Sequence, residues 1–180
     1  MNYLTFLKII LKNEGGYVND PDDRGGETYR GISRRHHPHW IGWKYLDSRN
    51  TVKGEIYEDL EEIVELFYFG NYYTRIAGKE LINIHPLLAL HVFDFAVNAG
   101  VSKAVRMLQK IASVDQDGII GPITLAGLKR DPEMMYIKFY SSRIIFYREI
   151  ATIDNNRKFL SGWLRRIRDC SKAFYKEVMK

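Results

Sequence analysis

The stretch from Asn13 to Ser33, NEGGYVNDPDDRGGETYRGIS, holds the residues of this sequence best suited to chemistry. Glu14 closes an apolar helical pattern and is followed by Gly15, Gly16 and Tyr17. Three further carboxylates, Asp20, Asp22 and Asp23, precede Gly25, Gly26 and Thr28. Cutting a glycosidic bond takes one carboxyl kept protonated, to donate to the leaving oxygen. It usually takes a second group that stabilises the oxocarbenium ion or activates water. A glutamate placed where a helix meets a glycine-lined wall is partly desolvated, the usual means of keeping such a carboxyl protonated. Glycines let a bulky sugar approach the backbone, and Tyr17 and Tyr29, with Trp40 and Trp43, are candidates to stack on pyranose faces. Acidic, glycine-rich loops also bind calcium or simply turn, and the residue types alone leave those readings open.

Helices must position this loop. Leu4, Leu7 and Leu11, with Phe6 and Ile10 beside them, predict a first helix over 2–13 that ends at Glu14-Gly15-Gly16. The chain from there to Gly31 reads as loop or short irregular strand. A second helix is expected over 57–69, acidic on one side and apolar through Leu60, Val64, Phe67 and Tyr68. Pro86 suits a first helical position, and LLALHVFDFAVNAG after it is apolar nearly all round, which marks a central buried helix. Further helices are predicted over 102–112, from Pro122, from Asp131-Pro132 to about Ala151, and over 157–178. The turn DQDGIIGP lies between the first two of these. No internal repeat and no convincing alternation for a major sheet is present, so the fold class is mainly α.

At 180 residues, 46% of them apolar, the chain suffices for a real core. Cys170 is the only cysteine, which rules out an intrachain disulfide and a cysteine-based zinc site. A net charge of +5 favours anionic partners, and the basic residues crowd the last segment from Arg157 to Lys180. No stretch approaches the ~20 apolar residues of a membrane span. The N-terminus lacks a basic lead and a small-residue cleavage site. The expectation is synthesis in the cytoplasm without a signal peptide, and action in the periplasm or at the wall after export or lysis.

EGGYVNDPDDRGGETYRGI resembles the signature of glycoside hydrolase family 108, the N-acetylmuramidases, some described as secretion activators and others as phage-type endolysins. DFAVNAG (94–100), LQ (108–109), DGIIGPIT (117–124) and the Gly162, Trp163, Arg166 spacing are similar to that family's later elements, in order. The resemblance implies a lysozyme-like helical fold with a catalytic Gly/Asp-rich loop after helix 1. It implies a hydrolase region over 1–93 and a peptidoglycan-binding region over 94–180, packed as one compact unit. The implied reaction is hydrolysis of the β-1,4 bond between N-acetylmuramic acid and N-acetylglucosamine in peptidoglycan glycan strands, with no cofactor and no metal.

Glu14 matches the family's catalytic glutamate and is expected to be the general acid. Lysozyme-like enzymes often follow such a glutamate with an aspartate and a threonine that orient water. Thr28 fits that role by spacing, and Asp22 ranks before Asp20 and Asp23. Tyr17, Tyr29 and Asn98 are the substrate-binding candidates. His91, Asp94 and Asn98 share one face of the buried helix, where a hydrogen-bonded network bracing the Glu14 loop is expected. His36, His37 and His39 read as a surface loop, and the segment 34–50, for which the resemblance supplies no counterpart, as an insertion on the cleft rim. Two competing classes are a non-catalytic glycan binder and a basic nucleic-acid-binding regulator. A binder has no need of the acid, and no helix-turn-helix with a recognition helix is present, so no specific nucleic acid partner is expected. The residues carry no information on oligomeric state.

Overall fold

The computed structural model describes residues 1–19 and 26–179. Among them the chain is mainly α-helical, with one small sheet, a lysozyme-like architecture. Helix α1 (Tyr3–Leu11) starts at Asn2, whose side chain accepts the Thr5 amide at 3.0 Å. It buries Phe6, Leu7, Ile9, Ile10 and Leu11, whereas Leu4 is exposed. The buried stripe is therefore rotated from the one the leucine spacing suggests, because Ile9 and Ile10 carry it. Strands β1 (Tyr17–Val18), β2 (Thr28–Tyr29) and β3 (Ile32–Ser33) form an antiparallel sheet in that order. After them come α2 (Gly42–Asp47) and, behind a 3₁₀ turn over Glu58–Leu60, α3 (Glu61–Tyr68). A π-helical turn, Phe69–Tyr73, and a 3₁₀ turn, Thr74–Ile76, lead into α4 (Gly78–Ile84).

The central element is α5 (Pro86–Ala99), in which every residue from Leu87 to Ala96 is buried. His85 caps it, Nδ1 accepting the Leu88 amide at 3.0 Å, and Pro86 occupies the first turn. Helices α4, α6 (Val101–Ile111), α8 (Pro132–Ala151) and α9 (Leu160–Val178) pack around it, and α1 packs against α3 and α9. Each large aliphatic or aromatic side chain sealed in this layer contributes about 1.5–3 kcal/mol. Two polar residues, His91 and Asp94, lie in the same buried run. They need partners, and the partners come from α8 and α9.

The region after α6 is organised by one buried amide. Gln109 Nε2 donates to Asp117 Oδ1 at 2.6 Å and to the Ile119 carbonyl at 3.0 Å, while Oε1 accepts the Gly118 amide at 2.9 Å. Asp117 Oδ1 also accepts the Ile119 amide at 2.8 Å, closing a tight turn with Gly118 at φ 86°. The LQ and DGIIGPIT elements are thus two halves of one clasp leading into α7 (Pro122–Lys129). Asp117 there serves the turn.

Candidate active site

Glu14 leaves the end of α1, its amide reaching back to the Leu11 carbonyl at 3.2 Å. The next residues bend away sharply. Gly16 passes so close to residues 54–55 that a β-carbon there would lie 2.3 Å from the Glu55 carbonyl oxygen. The close approach lets the Tyr17 amide donate to that oxygen at 2.9 Å and the Gly54 amide to the Tyr17 carbonyl at 2.7 Å, anchoring β1.

The β2–β3 hairpin brings a second wall to Glu14. Tyr29 and Ile32 pair, so only Arg30 and Gly31 lie in the turn, and both have positive φ, 50° and 76°. That is the two-residue turn whose twist matches a hairpin, and Arg30 is an unusual occupant of its first position. It is held there by its carbonyl, which accepts the Tyr68 hydroxyl at 2.7 Å, and by its guanidinium, paired with Glu61 at 3.4 Å. Gly31 faces the acid. A β-carbon on it would sit 2.6 Å from Glu14 Oε2 and 2.8 Å from the Tyr68 hydroxyl, so only glycine fits. Burial, and then the Glu14 charge, push the Tyr68 and Tyr72 hydroxyls up from the ordinary tyrosine range.

Behind Glu14 runs a chain of alternating charges. Glu14 Oε1 accepts Arg166 Nη1 at 2.9 Å, and Arg166 Nε donates to Asp94 Oδ1 at 2.8 Å. Asp94 Oδ2 accepts Arg143 Nη2 at 2.5 Å, and Arg143 Nη1 donates to His91 Nδ1 at 2.9 Å. His91 Nε2 in turn meets the Ser171 hydroxyl at 2.8 Å. Burial alone would raise the Asp94 carboxyl, but Arg143 and Arg166 hold it below the usual range. Burial and then Arg143 push His91 down to about 3, so its imidazole is neutral. Neutral His91 with Nδ1 accepting from Arg143 leaves Nε2–H to donate to Ser171. One helical turn further, Tyr147 donates to Asn98 Oδ1 at 2.6 Å, repeating the α8–α5 rung.

The network expected around His91, Asp94 and Asn98 is present, and it reaches Glu14 through Arg166. That arginine belongs to the basic run of the last helix, and it is largely buried in ion pairs, while Arg165 and Arg168 are exposed. Thr28 opens β2, half-buried, paired with Val18 and Ser33, and its side chain alternates away from the core-facing Tyr29. Asp22, with Asp20 and Asp23, lies outside the described residues. Tyr17 is nearly buried and donates to Glu27 Oε1 at 2.9 Å. Tyr29 is fully buried, its ring stacked 6.0 Å from both Trp40 and Tyr57, and so supports the sheet with no open face for a sugar. Trp40 and Trp43 are buried edge to face at 5.0 Å. Asn98 is exposed at the surface. Residues 34–50 form a turn and α2, roofing this aromatic cluster, with His36 and His39 exposed. Among the described residues no group of three or more His, Cys, Asp or Glu side chains is arranged to hold a metal ion. No helix among them is long and apolar enough to cross a membrane.

Glu14, Arg30 and Glu61 share the lining of a cavity of about 660 Å³. A buried-sided carboxyl with one oxygen fixed by a guanidinium, opening into space of that size, can donate or accept a proton on a bound molecule. The family model described as glycosyl hydrolase 108 matches residues 7–100, and the one described as a predicted peptidoglycan domain matches residues 103–168. Among solved structures, that of SagA from Brucella abortus is similar, with 27% sequence identity and a TM-score of 0.71 over 96% of this chain and 94% of that chain. The comparison with curated proteins finds no match.

Proposed function

Because the chain belongs to the glycosyl hydrolase 108 family, and is thereby a glycosidase that acts on peptidoglycan, we propose that it is an N-acetylmuramidase with Glu14 as its general acid. The observation that carries this reading is the setting of Glu14: one carboxylate oxygen pinned by Arg166, the other lying over Gly31, in a residue that lines the cavity. The reaction breaks the bond between C1 of N-acetylmuramic acid and the oxygen of the next N-acetylglucosamine. The Glu14 proton goes to the departing oxygen, water supplies the hydroxyl that ends on C1, and the other proton of that water goes to a site carboxylate, so the carboxyl groups end with as many protons as they began with. Thr28 and Asp22 are the water-side groups of this reading, and Asn98, exposed one turn beyond Asp94, is its substrate contact. Tyr17 and Tyr29 support the loop from within the core. The site of action is the cell wall, and no cofactor takes part.

Turbidity loss of purified cell walls, compared for the wild type and Glu14→Gln, tests the assignment, since general acid catalysis supplies roughly 100- to 10,000-fold. Mass spectrometry of the digest should place new reducing ends on muramic acid. Reducing ends on glucosamine, or full lysis by the Gln variant, would overturn it.

A further inference from the structure

The two guanidiniums behind Glu14 both come from the part of the chain matched by the peptidoglycan-domain model, not from the hydrolase match. A guanidinium stays protonated and offers only donors, so the oxygen it touches is favoured as the acceptor and the other oxygen as the one that carries a proton. Arg166 Nη1 takes Oε1 of Glu14 at 2.9 Å. Oε2 is the oxygen left for a proton. It lies over Gly31, beside a Tyr68 hydroxyl whose own proton is spent on the Arg30 carbonyl at 2.7 Å. That hydroxyl turns lone pairs and no donor toward Glu14, a surrounding compatible with a protonated Oε2.

Arg166 is itself held from behind. Asp94, fully buried, takes its Nε at 2.8 Å and is gripped on the other oxygen by Arg143 at 2.5 Å. Arg143 is fully buried in the apolar stripe of α8, so it cannot swing out without opening the core, and Arg166 is held by the two carboxylates it bridges. The groups around Glu14 are Arg166 from α9, Tyr68 and Tyr72 from α3 and the π-turn, the Arg30–Glu61 pair beside the hairpin turn, and, lining the same cavity, Lys8, Lys12, Glu65 and Glu177.

We propose that Arg166 is a positioning residue for the acid: it pins Oε1, so that the proton delivered to the glycosidic oxygen is carried on Oε2, and Asp94 backed by Arg143 keeps it in register. The proposal rests on the muramidase reading of Glu14. It also makes the C-terminal region part of the catalytic centre rather than a separate anchor.

The test is steady-state cleavage of purified peptidoglycan by the wild type, Arg166→Gln, Arg166→Lys and Asp94→Asn, with Lys79→Gln on α4 as an exposed control. Melting temperatures and pH–rate profiles are recorded for each. Misplacing a reacting group by about an ångström costs on the order of 100-fold. Arg166→Gln should therefore lose about 100-fold in kcat, with KM within about twofold and an altered pH–rate profile. Lysine supplies a cation but reaches only one of the two carboxylates, so Arg166→Lys should recover about tenfold of the loss. Asp94→Asn should fall between them, and Lys79→Gln should match the wild type. If Arg166→Gln does not fold, the Lys and Asn variants decide the matter by the same kcat criterion. Wild-type kcat in the Arg166 variants, or a loss lying wholly in KM, overturns the positioning role alone. A wild-type protein that cuts no peptidoglycan overturns the muramidase reading and this role together.

Discussion

Arg166 Nη1 lies 2.9 Å from Glu14 Oε1, across 152 residues of sequence. The contact joins the first helix to the last and, through Asp94, Arg143 and His91, runs on to the Ser171 hydroxyl. Acidic and basic side chains alternate along it from Glu14 through Arg166 and Asp94 to Arg143, and the fifth member is a neutral imidazole. A buried chain of this kind is costly to break at one link, because the remaining partner keeps an uncompensated charge.

Glycine at position 31 is the first point of leverage. Gly31→Ala forces a β-carbon toward Glu14 Oε2 at a φ of 76°. Gly26, at φ 65°, has nothing within 4 Å of its β position, so Gly26→Ala has the backbone cost without the clash. The left-handed conformation costs roughly 1–2 kcal/mol in either variant, a fall of a few degrees in melting temperature. Wall-lytic kcat should drop about 100-fold in Gly31→Ala and stay near wild type in Gly26→Ala. Equal activities in the two variants would show that the contact between Gly31 and the acid does not matter.

His91 gives the fold a defined acid sensitivity. Its folded-state value of about 3 lies below the 6.5 of an exposed histidine, so below pH 6.5 the unfolded chain binds a proton that the native protein refuses. Stability contributed by neutral His91 is complete above pH 6.5 and is lost as pH falls toward 3, at up to ~1.4 kcal/mol per unit. Asp94, held low by its arginines, adds a loss in the same direction at more acid pH. Gln at 91 can accept from Arg143 and donate to Ser171 without titrating. Urea midpoints at pH 6.5, 5.5 and 4.5 should therefore decline less steeply for His91→Gln than for the wild type. Parallel declines would remove His91 from the account.

Much of this was legible in the sequence, and the failures have physical causes. The Glu14 helix end, the buried α5 and the capped starts at Pro86, Pro122 and Pro132 all follow from local pattern. Helices α2 and α4, six and seven residues long, were missed because so short a run shows no periodicity. Arg166 stood out only in the Gly162, Trp163, Arg166 spacing and in the basic run, and neither marked it as a partner of Glu14. Yet it follows Trp163 by three residues and precedes Cys170 by four, beside the buried Ile167 and Cys170 of α9. Arg143 stands likewise in the buried series Met135, Phe139, Arg143, Tyr147, Ala151, at strict four-residue spacing. A charge inside an apolar stripe was the available signal. Tyr29 and Trp40 went the other way: aromatics next to the Gly/Asp-rich loop suggested sugar stacking, but their large apolar area is used to build the core.

The exposed part of the basic run remains for the wall. Arg165 and Arg168 are exposed on α9, and Arg166 is not available to a polymer. Arg165→Gln with Arg168→Gln should weaken binding to purified walls and flatten its salt dependence, since exposed charges act through a screened field. Cleavage of short soluble oligosaccharides should stay near normal in that double variant. Unchanged binding and an unchanged salt slope would reduce these residues to a solvated helix face.

The water-side group is the last point to test. Val18 and Thr28 pair directly, so the described residues on the two sides of Asp20, Asp22 and Asp23 are neighbours in the sheet. Two residues beyond Tyr29 the same hairpin reaches Gly31, which abuts the Glu14 carboxylate, so Thr28 and the acid are tied to one rigid turn. If Thr28 orients the attacking water, the contact matters chiefly in the transition state. Thr28→Ala should then lower kcat with little change in KM. Asp22→Asn should do the same, whereas Asp20→Asn and Asp23→Asn should act mainly on the melting temperature, as expected of turn-forming aspartates. The four variants, assayed on one peptidoglycan preparation, separate the roles. Should Asp20→Asn abolish turnover in a normally folded protein while Asp22→Asn does not, the choice of carboxylate by its distance from Thr28 is wrong, and the water-side chemistry belongs to Asp20.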